Sequence, residues 1–317
     1  MPVELPWLLE LAGVPCAFEC DQAQRPLTGF ERPAAHLGPG WWSFARTIGG
    51  VTVGSTMDFC SFNSPNSDPI LGVAIHDGHD IRPELAAILA IDDASRRREE
   101  DPHTGELASR FPANLVVHRS RFEVDINRPR DGAVYRTPDQ AWGLDIWSRP
   151  LTDEEITGSL DLYDRLYADL ASVLDELISR FGGFVVYDIH SYNHRRGGSE
   201  AEPGSASENP TINLGTGTLP VKWRSLAEAF VGAMGAVILD GEPIDVRENV
   251  RFEGGHLSRW VHEKYGESGC ALAIELKKVF VDEWTGELDG DHLAELGAAL
   301  LASTDPVRAE LFAHDRG

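Results

Sequence analysis

The stretch that most constrains this chain runs Phe184-Val185-Val186-Tyr187-Asp188-Ile189-His190-Ser191-Tyr192-Asn193-His194-Arg195-Arg196. Its first four residues carry little polarity, and Gly182-Gly183 and Gly197-Gly198 bound it on either side. A short apolar run between glycine breaks reads as a central strand of a parallel sheet, covered on both faces. Within two positions its character changes to imidazole, hydroxyl, amide and guanidinium groups. Open α/β sheets bind ligands at the carboxyl ends of their strands, so His190 is a candidate metal ligand or catalytic base. A strand-end histidine bonded to a backbone carbonyl would carry the same local pattern. The other polar clusters of the chain decide between the two.

Those clusters fall at three further strand ends. Ile70 to Ile75 is an apolar strand followed at once by His76-Asp77-Gly78-His79-Asp80, and Pro83 then opens a helix through Leu85, Ile88, Leu89 and Ile91. Arg96 to Arg110 is polar and reads as a surface connection. A second strand, Asn114 to His118, leads into Arg121 and Asp125-Ile126-Asn127-Arg128, and residues 129–150 read as a long loop. Thr152 with Glu155 forms a capping box at the start of the longest helix, whose apolar positions from 156 to 178 give one broad buried face. Gly198 to Gly217 is a polar loop placed to rim a site. A helix over Trp223 to Met234 precedes short strands at Ala236–Leu239 and Ala271–Leu276, with a helix about Leu257 to Tyr265 between them. Asp291 to Leu301 closes the pattern as a final helix. Alternating strands and helices predict one α/β domain over 1–317, built on a mixed, largely parallel central sheet flanked by helices. Within it, 1–65 reads as an irregular N-terminal cover and 65–280 as the core.

Composition narrows the partners. The net charge is −23, from 51 acids against 28 bases, which repels nucleic acid and anionic lipid as general partners. A small-molecule substrate fits better, and a homo-oligomer stays open. Cys16, Cys20, Cys60 and Cys270 form no second close pair and read as buried thiols. The opening Met-Pro-Val-Glu-Leu-Pro has no basic region and no apolar core, so no signal peptide is expected. No run approaches the ~20 apolar residues of a membrane span. The expected location is cytoplasmic.

The chemistry concentrates at the four strand ends. His76 and His79, three residues apart, can reach one ion from a tight loop or a helical turn, and His190 would complete an open three-ligand site of the kind catalytic zinc takes. Glu275 lies inside the apolar run Ala273-Ile274-Glu275-Leu276. A carboxylate there must face a cation, do acid–base work, or pair outward with Lys277 or Lys278. Arg128 beside Asn127 offers a planar anion receptor, and the alternative is a structural Arg–Asp pair.

In order and type these motifs resemble the N-formylglutamate amidohydrolases, relatives of the zinc carboxypeptidases and the aspartoacylases. Ile189-His190-Ser191-Tyr192 is similar to a carboxypeptidase's third-ligand strand and Ile274-Glu275-Leu276 to its catalytic-glutamate strand. Asp125-Ile126-Asn127-Arg128 is similar to the Asp-Leu-Asn-Arg of aspartoacylases. The resemblance spans roughly residues 65 to 280 and implies a three-layer α/β/α fold of the zinc-carboxypeptidase kind. It implies one Zn2+ per chain, or another divalent transition metal, on His76, His79 and His190, with Glu275 as general base. Asn127 and Arg128 would hold the substrate α-carboxylate, and Arg121 could stabilise the oxyanion or a side-chain carboxylate. The Arg195-Arg196-Gly197-Gly198 loop is not explained by the carboxypeptidase pattern; Arg195 and Arg196 are further candidates for a dicarboxylic substrate, with Tyr192 also a substrate-binding candidate. One departure stands out: relatives place a glutamate three residues after the first histidine, where this chain has His79, with Glu84 as a fallback. The expected reaction is hydrolysis of an N-formyl or other N-acyl amino acid. The alternatives are a carboxypeptidase-like peptidase acting on peptides or cell-wall fragments, and a catalytically silent metal-binding scaffold.

Overall fold

Side-chain alternation along Phe184–Tyr192 sets the architecture. All of its residues are buried, yet Val185, Tyr187 and Ile189 enter one apolar core while Phe184 and Val186 enter another. A strand with a core on each face must be the middle of three layers. This computed structural model describes residues 55–57, 59–63 and 68–314, which fall in one compact unit. The expectations for the N-terminal cover up to residue 54, and for Cys16 and Cys20, lie outside the described residues.

The strands in chain order are β1 (Ser55–Met57), β2 (Cys60–Asn63), β3 (Ile70–Ala74), β4 (Ala113–Val117), β5 (Phe184–Tyr192), β6 (Ile212–Gly215), β7 (Ile238–Leu239), β8 (Glu242–Pro243), β9 (Val246–Glu248) and β10 (Gly269–Lys277). Eight of them form one mixed sheet in the order β1-β2-β4-β3-β5-β10-β6-β9. The central four, β4, β3, β5 and β10, run parallel, so their carboxyl ends share one edge. β1, β2 and β6 add antiparallel partners outside them. The mixed, largely parallel sheet expected from the sequence is present.

The helices are α1 (Pro83–Ala86), α2 (Asp93–Glu99), α3 (Thr104–Ala108), α4 (Asp153–Phe181), α5 (Arg224–Gly235), α6 (His256–Tyr265) and α7 (Gly290–His314). Leu166, Leu170, Leu174 and Leu177 of α4, with Leu257 and Val261 of α6, cover one face. Leu226, Phe230 and Met234 of α5, with Leu293, Leu296 and Leu300 of α7, cover the other. Each such fully buried side chain contributes about 1.5–3 kcal/mol. The Thr152–Glu155 capping box forms as the sequence predicts. Cys60 and Cys270 are free, buried thiols.

Several local expectations change. The helix from Pro83 stops at Ala86. The polar stretch 96–110 is no surface connection: it holds most of α2 and all of α3, and it buries Arg96, Glu100, Asp101 and Thr104. Burial is tolerable here because Arg96 and Glu100 pair with each other and Asp101 with two histidines. The 198–217 loop contains strand β6. Ile238–Leu239 pairs only with β8 and stays outside the main sheet. The last helix runs on through Pro306 to His314. No helix among the described residues is long and apolar enough to cross a membrane.

Candidate active site

The shared carboxyl edge of the parallel strands brings two histidines together. His76 follows β3 by two residues, His190 lies in β5, and their rings meet edge to face at 4.8 Å. Between them stands a residue the sequence reading passed over. Asp101 Oδ2 is 3.0 Å from His190 Nδ1 and 3.4 Å from His76 Nδ1. The three side chains are buried, and their ligand atoms lie within 4.8 Å of one another.

Two further carboxylates fix the rings. His76 Nε2 donates to Asp125 Oδ1 at 2.8 Å, and His190 Nε2 donates to Asp188 Oδ1 at 3.0 Å. With the outer nitrogens occupied, both Nδ1 atoms face Asp101. Carboxylate–histidine pairs of this kind orient metal-ligating imidazoles. Asp125 is itself held by Arg121 Nη2 at 2.9 Å, by the Tyr135 hydroxyl and by the Asn127 amide. Asp188 accepts from Ser258 Oγ of α6 at 3.2 Å. The alternation of β5 explains the second pair: residues 188 and 190 share a face of the strand.

His76 Nδ1 is buried and has no hydrogen-bond partner among the described residues. An orphaned buried ring nitrogen needs an explanation. A cation shared with His190 Nδ1 and Asp101 supplies one, so the donor set of two nitrogens and one oxygen fits a divalent transition metal.

The charges are mutually compensated. Burial opposes ionisation of Asp101, but its hydrogen bond to His190 and the nearby His76 ring outweigh that and hold its carboxyl well below the usual range. Burial likewise opposes the His190 imidazolium, yet the Asp188 charge and the bonds to Asp101 and Asp188 carry its pKa well above the ordinary histidine value. Glu275 pairs in register with His190 across β5 and β10, and burial pushes its carboxyl up to about 8. It opens on a cavity of about 400 Å3 together with His76, Asp101, His190, Arg121 and Asn127. A carboxyl poised near neutrality beside a histidine–aspartate cluster suits acid–base work.

The structure does not bring His79 into this group. Two histidines three residues apart can meet on a helical turn or a tight loop, but residues 77–79 carry no helix and are held against the end of β4. Asp80 instead bridges Arg119 beyond β4, with its amide donating to His118 O at 2.9 Å. Gly78 presses so close that a Cβ there would sit 2.2 Å from the His118 carbonyl carbon. His79 consequently turns to Glu100 Oε2 (2.5 Å) and Arg96 Nη2 (2.5 Å). Adjacent acids therefore serve different histidines, Glu100 taking His79 and Asp101 taking His76. Glu84 is exposed and pairs with Arg82 at 3.4 Å, away from the cluster.

The other candidates divide similarly. Asn127, Arg121 and Tyr192 line the cavity. Arg128 does not; its guanidinium lies over the Tyr135 and Trp142 rings at 5.0 and 5.7 Å. Arg195 also stays outside, because Asp282 and Glu283 take its side chain, whereas Arg196 next to it lines the cavity. Lys278 is buried and donates to the Arg98 and Glu100 carbonyls at 2.6 and 2.7 Å, leaving Glu275 without a lysine partner there. Asp188 had a signal in the sequence, an acid two positions before His190 in a buried strand. Asp101 had only its place in a run of acids.

Residues 68–281 match the family described as N-formylglutamate amidohydrolase. An N-formylglutamate deformylase of Pseudomonas aeruginosa is 27% identical over 252 residues, spanning 74% of this chain and 90% of that protein. The crystal structure of an N-formylglutamate amidohydrolase from Ralstonia eutropha superposes with a TM-score of 0.63 at 18% identity, covering 82% of this chain and all of that one. A gene product of Agrobacterium tumefaciens superposes with a TM-score of 0.54 at 18% identity, covering 78% and 90%.

Proposed function

The chain belongs to the N-formylglutamate amidohydrolase family, and from that premise we propose that it hydrolyses N-formyl-L-glutamate or a close N-acyl amino acid with a bound divalent cation, zinc first among them. The observation that carries this reading is the buried His76–Asp101–His190 cluster beside Glu275 in one cavity. A volume of about 400 Å3 lies at the small end of the ~300–1,000 Å3 common for small-molecule sites. That favours an acyl amino acid over a peptide.

His76, Asp101 and His190 would hold the cation, with Asp125 and Asp188 fixing the two rings. In that position a divalent cation supplies Lewis-acid polarisation of the acyl carbonyl and a more acidic water. Glu275 accepts the proton of the water that adds to the formyl carbon, and delivers it to the amide nitrogen as the C–N bond breaks. The products are formate and the free amino acid. Arg121, which lines the cavity, would stabilise the developing oxyanion. Asn127, which lines the cavity, would support the α-carboxylate. The deciding experiment is formate release from N-formyl-L-glutamate by zinc-loaded and chelator-stripped protein. Release in the loaded sample alone is expected, and equal release in both would remove the cation from the mechanism.

Cation binding should also be proton-linked. In the metal-free cluster His190 is held as imidazolium between Asp188 and Asp101. It must lose a proton before Nδ1 can ligate, so affinity rises with pH, by about tenfold per pH unit for each proton displaced. Calorimetric titration with zinc in buffers of different ionisation enthalpy would measure that proton release. Affinity independent of pH between 6 and about 8 would contradict the protonated state of His190.

A further inference from the structure

Several cations border the cavity, and most are already committed. Arg121 is paired with Asp125, and Lys278 is spent on two backbone carbonyls. Arg251 differs. It lines the cavity and is exposed, and its only hydrogen-bond acceptor among the described residues is the neutral Asn209 Oδ1, at 2.6 Å from Nη1. Its guanidinium lies over the Tyr192 and Phe252 rings at 5.3 and 5.7 Å, and no acid within ion-pair distance neutralises it among the described residues. Glu253, on the same segment, turns its carboxylate to Gly217, where a Cβ would lie 3.2 Å from Oε2.

The segment is also held rigidly relative to the reacting end. The fully buried Asn213 accepts the backbone amides of Val250 and Arg251 at 2.9 Å each. Asn213 lies opposite Glu275 in the β6–β10 register. One side-chain amide thus ties β6, the strand paired with β10 opposite Glu275, to the backbone that carries Arg251. Asn209 and the two rings fix the guanidinium itself. A preorganised planar fork with open donors is a receptor for a carboxylate.

We propose that Arg251 is a specificity-determining residue that receives the side-chain carboxylate of an acidic N-acyl amino acid at the cavity mouth. This rests on the hydrolytic reading above and adds to it the residue that reads the substrate's side chain. The test compares N-formyl-L-glutamate with its neutral isostere N-formyl-L-glutamine, in the zinc-loaded wild type, Arg251→Ala and Arg251→Lys. The kcat/KM preference for the glutamate substrate is expected to fall about tenfold or more in Arg251→Ala, chiefly through KM, and to return in part in Arg251→Lys. Equal losses on both substrates, or an unchanged preference, would overturn the assignment. Calorimetric binding of L-glutamate and L-glutamine reads the same contact without turnover. A glutamate preference lost in Arg251→Ala supports it even where no formate is released, which would count against the hydrolytic reading alone. Equal binding of the two amino acids by the wild type would overturn it.

Discussion

Glu275→Gln is expected to lower the rate constant for formate release by about 10²–10⁴-fold while leaving the zinc content at its wild-type level. The expectation comes from position. Glu275 faces the same cavity as His76, Asp101 and His190, is the register partner of His190, and has its carboxyl raised to about 8 by burial. The amide keeps the volume and most of the hydrogen bonding but cannot accept the proton of water. Because no ligand atom is removed, metal analysis and thermal melting should match the wild type. A fully active Glu275→Gln protein would end the assignment of Glu275 as the base, and another cavity carboxylate, Glu99 first, would have to be tried.

The second expectation separates two sets of ligands. Asp101→Ala should weaken zinc binding by more than about 100-fold, since even partners outside the ligand set cost 10–100-fold when lost. His79→Ala should leave zinc content unchanged, because that ring is occupied by Glu100 and Arg96. Its cost should fall on folding stability, since the buried Glu100 loses a charge-assisted bond, of about 1–3 kcal/mol. Competition with a chromophoric chelator and chemical denaturation measure the two quantities separately. The reverse pattern, zinc lost in His79→Ala and kept in Asp101→Ala, would restore the His76–His79 pair and show that the 77–80 segment refolds around the metal.

The contrast between these two residues shows where local pattern loses its hold. The spacing of His76 and His79 has a meaning only if the backbone between them aims both rings the same way. Gly78 instead lets the chain there lie against the end of β4, a neighbour about 40 residues away that no short window contains. Asp101 is the converse case. Its own surroundings, Glu99-Glu100-Asp101-Pro102, resemble any acidic surface turn. It becomes a ligand candidate because its amide donates to the His76 carbonyl at 3.0 Å, which sets its carboxylate between two rings. Arg195 and Arg196 make the same point: adjacent and identical in type, they are divided only by the reach of Asp282 and Glu283.

What the sequence determined by itself was set by short-range physics. Apolar runs, bounded by glycines in the case of β5, marked the strands β3, β4, β5 and β10, and the Thr152–Glu155 box marked the start of α4. The abrupt polarity at the strand ends marked where His76, Asn127, His190 and Glu275 would meet. Those features follow from the two-residue repeat of a strand, the unsatisfied amides at a helix start, and the cost of burying a polar group without purpose. Tertiary structure alone decided which charges became buried partners and which stayed open to a ligand. Ion pairing and hydrogen bonding depend on distances of a few ångströms between residues tens of positions apart, as between Asp101 and His190 or Asp188 and Ser258. Only the folded sheet brings those distances into being.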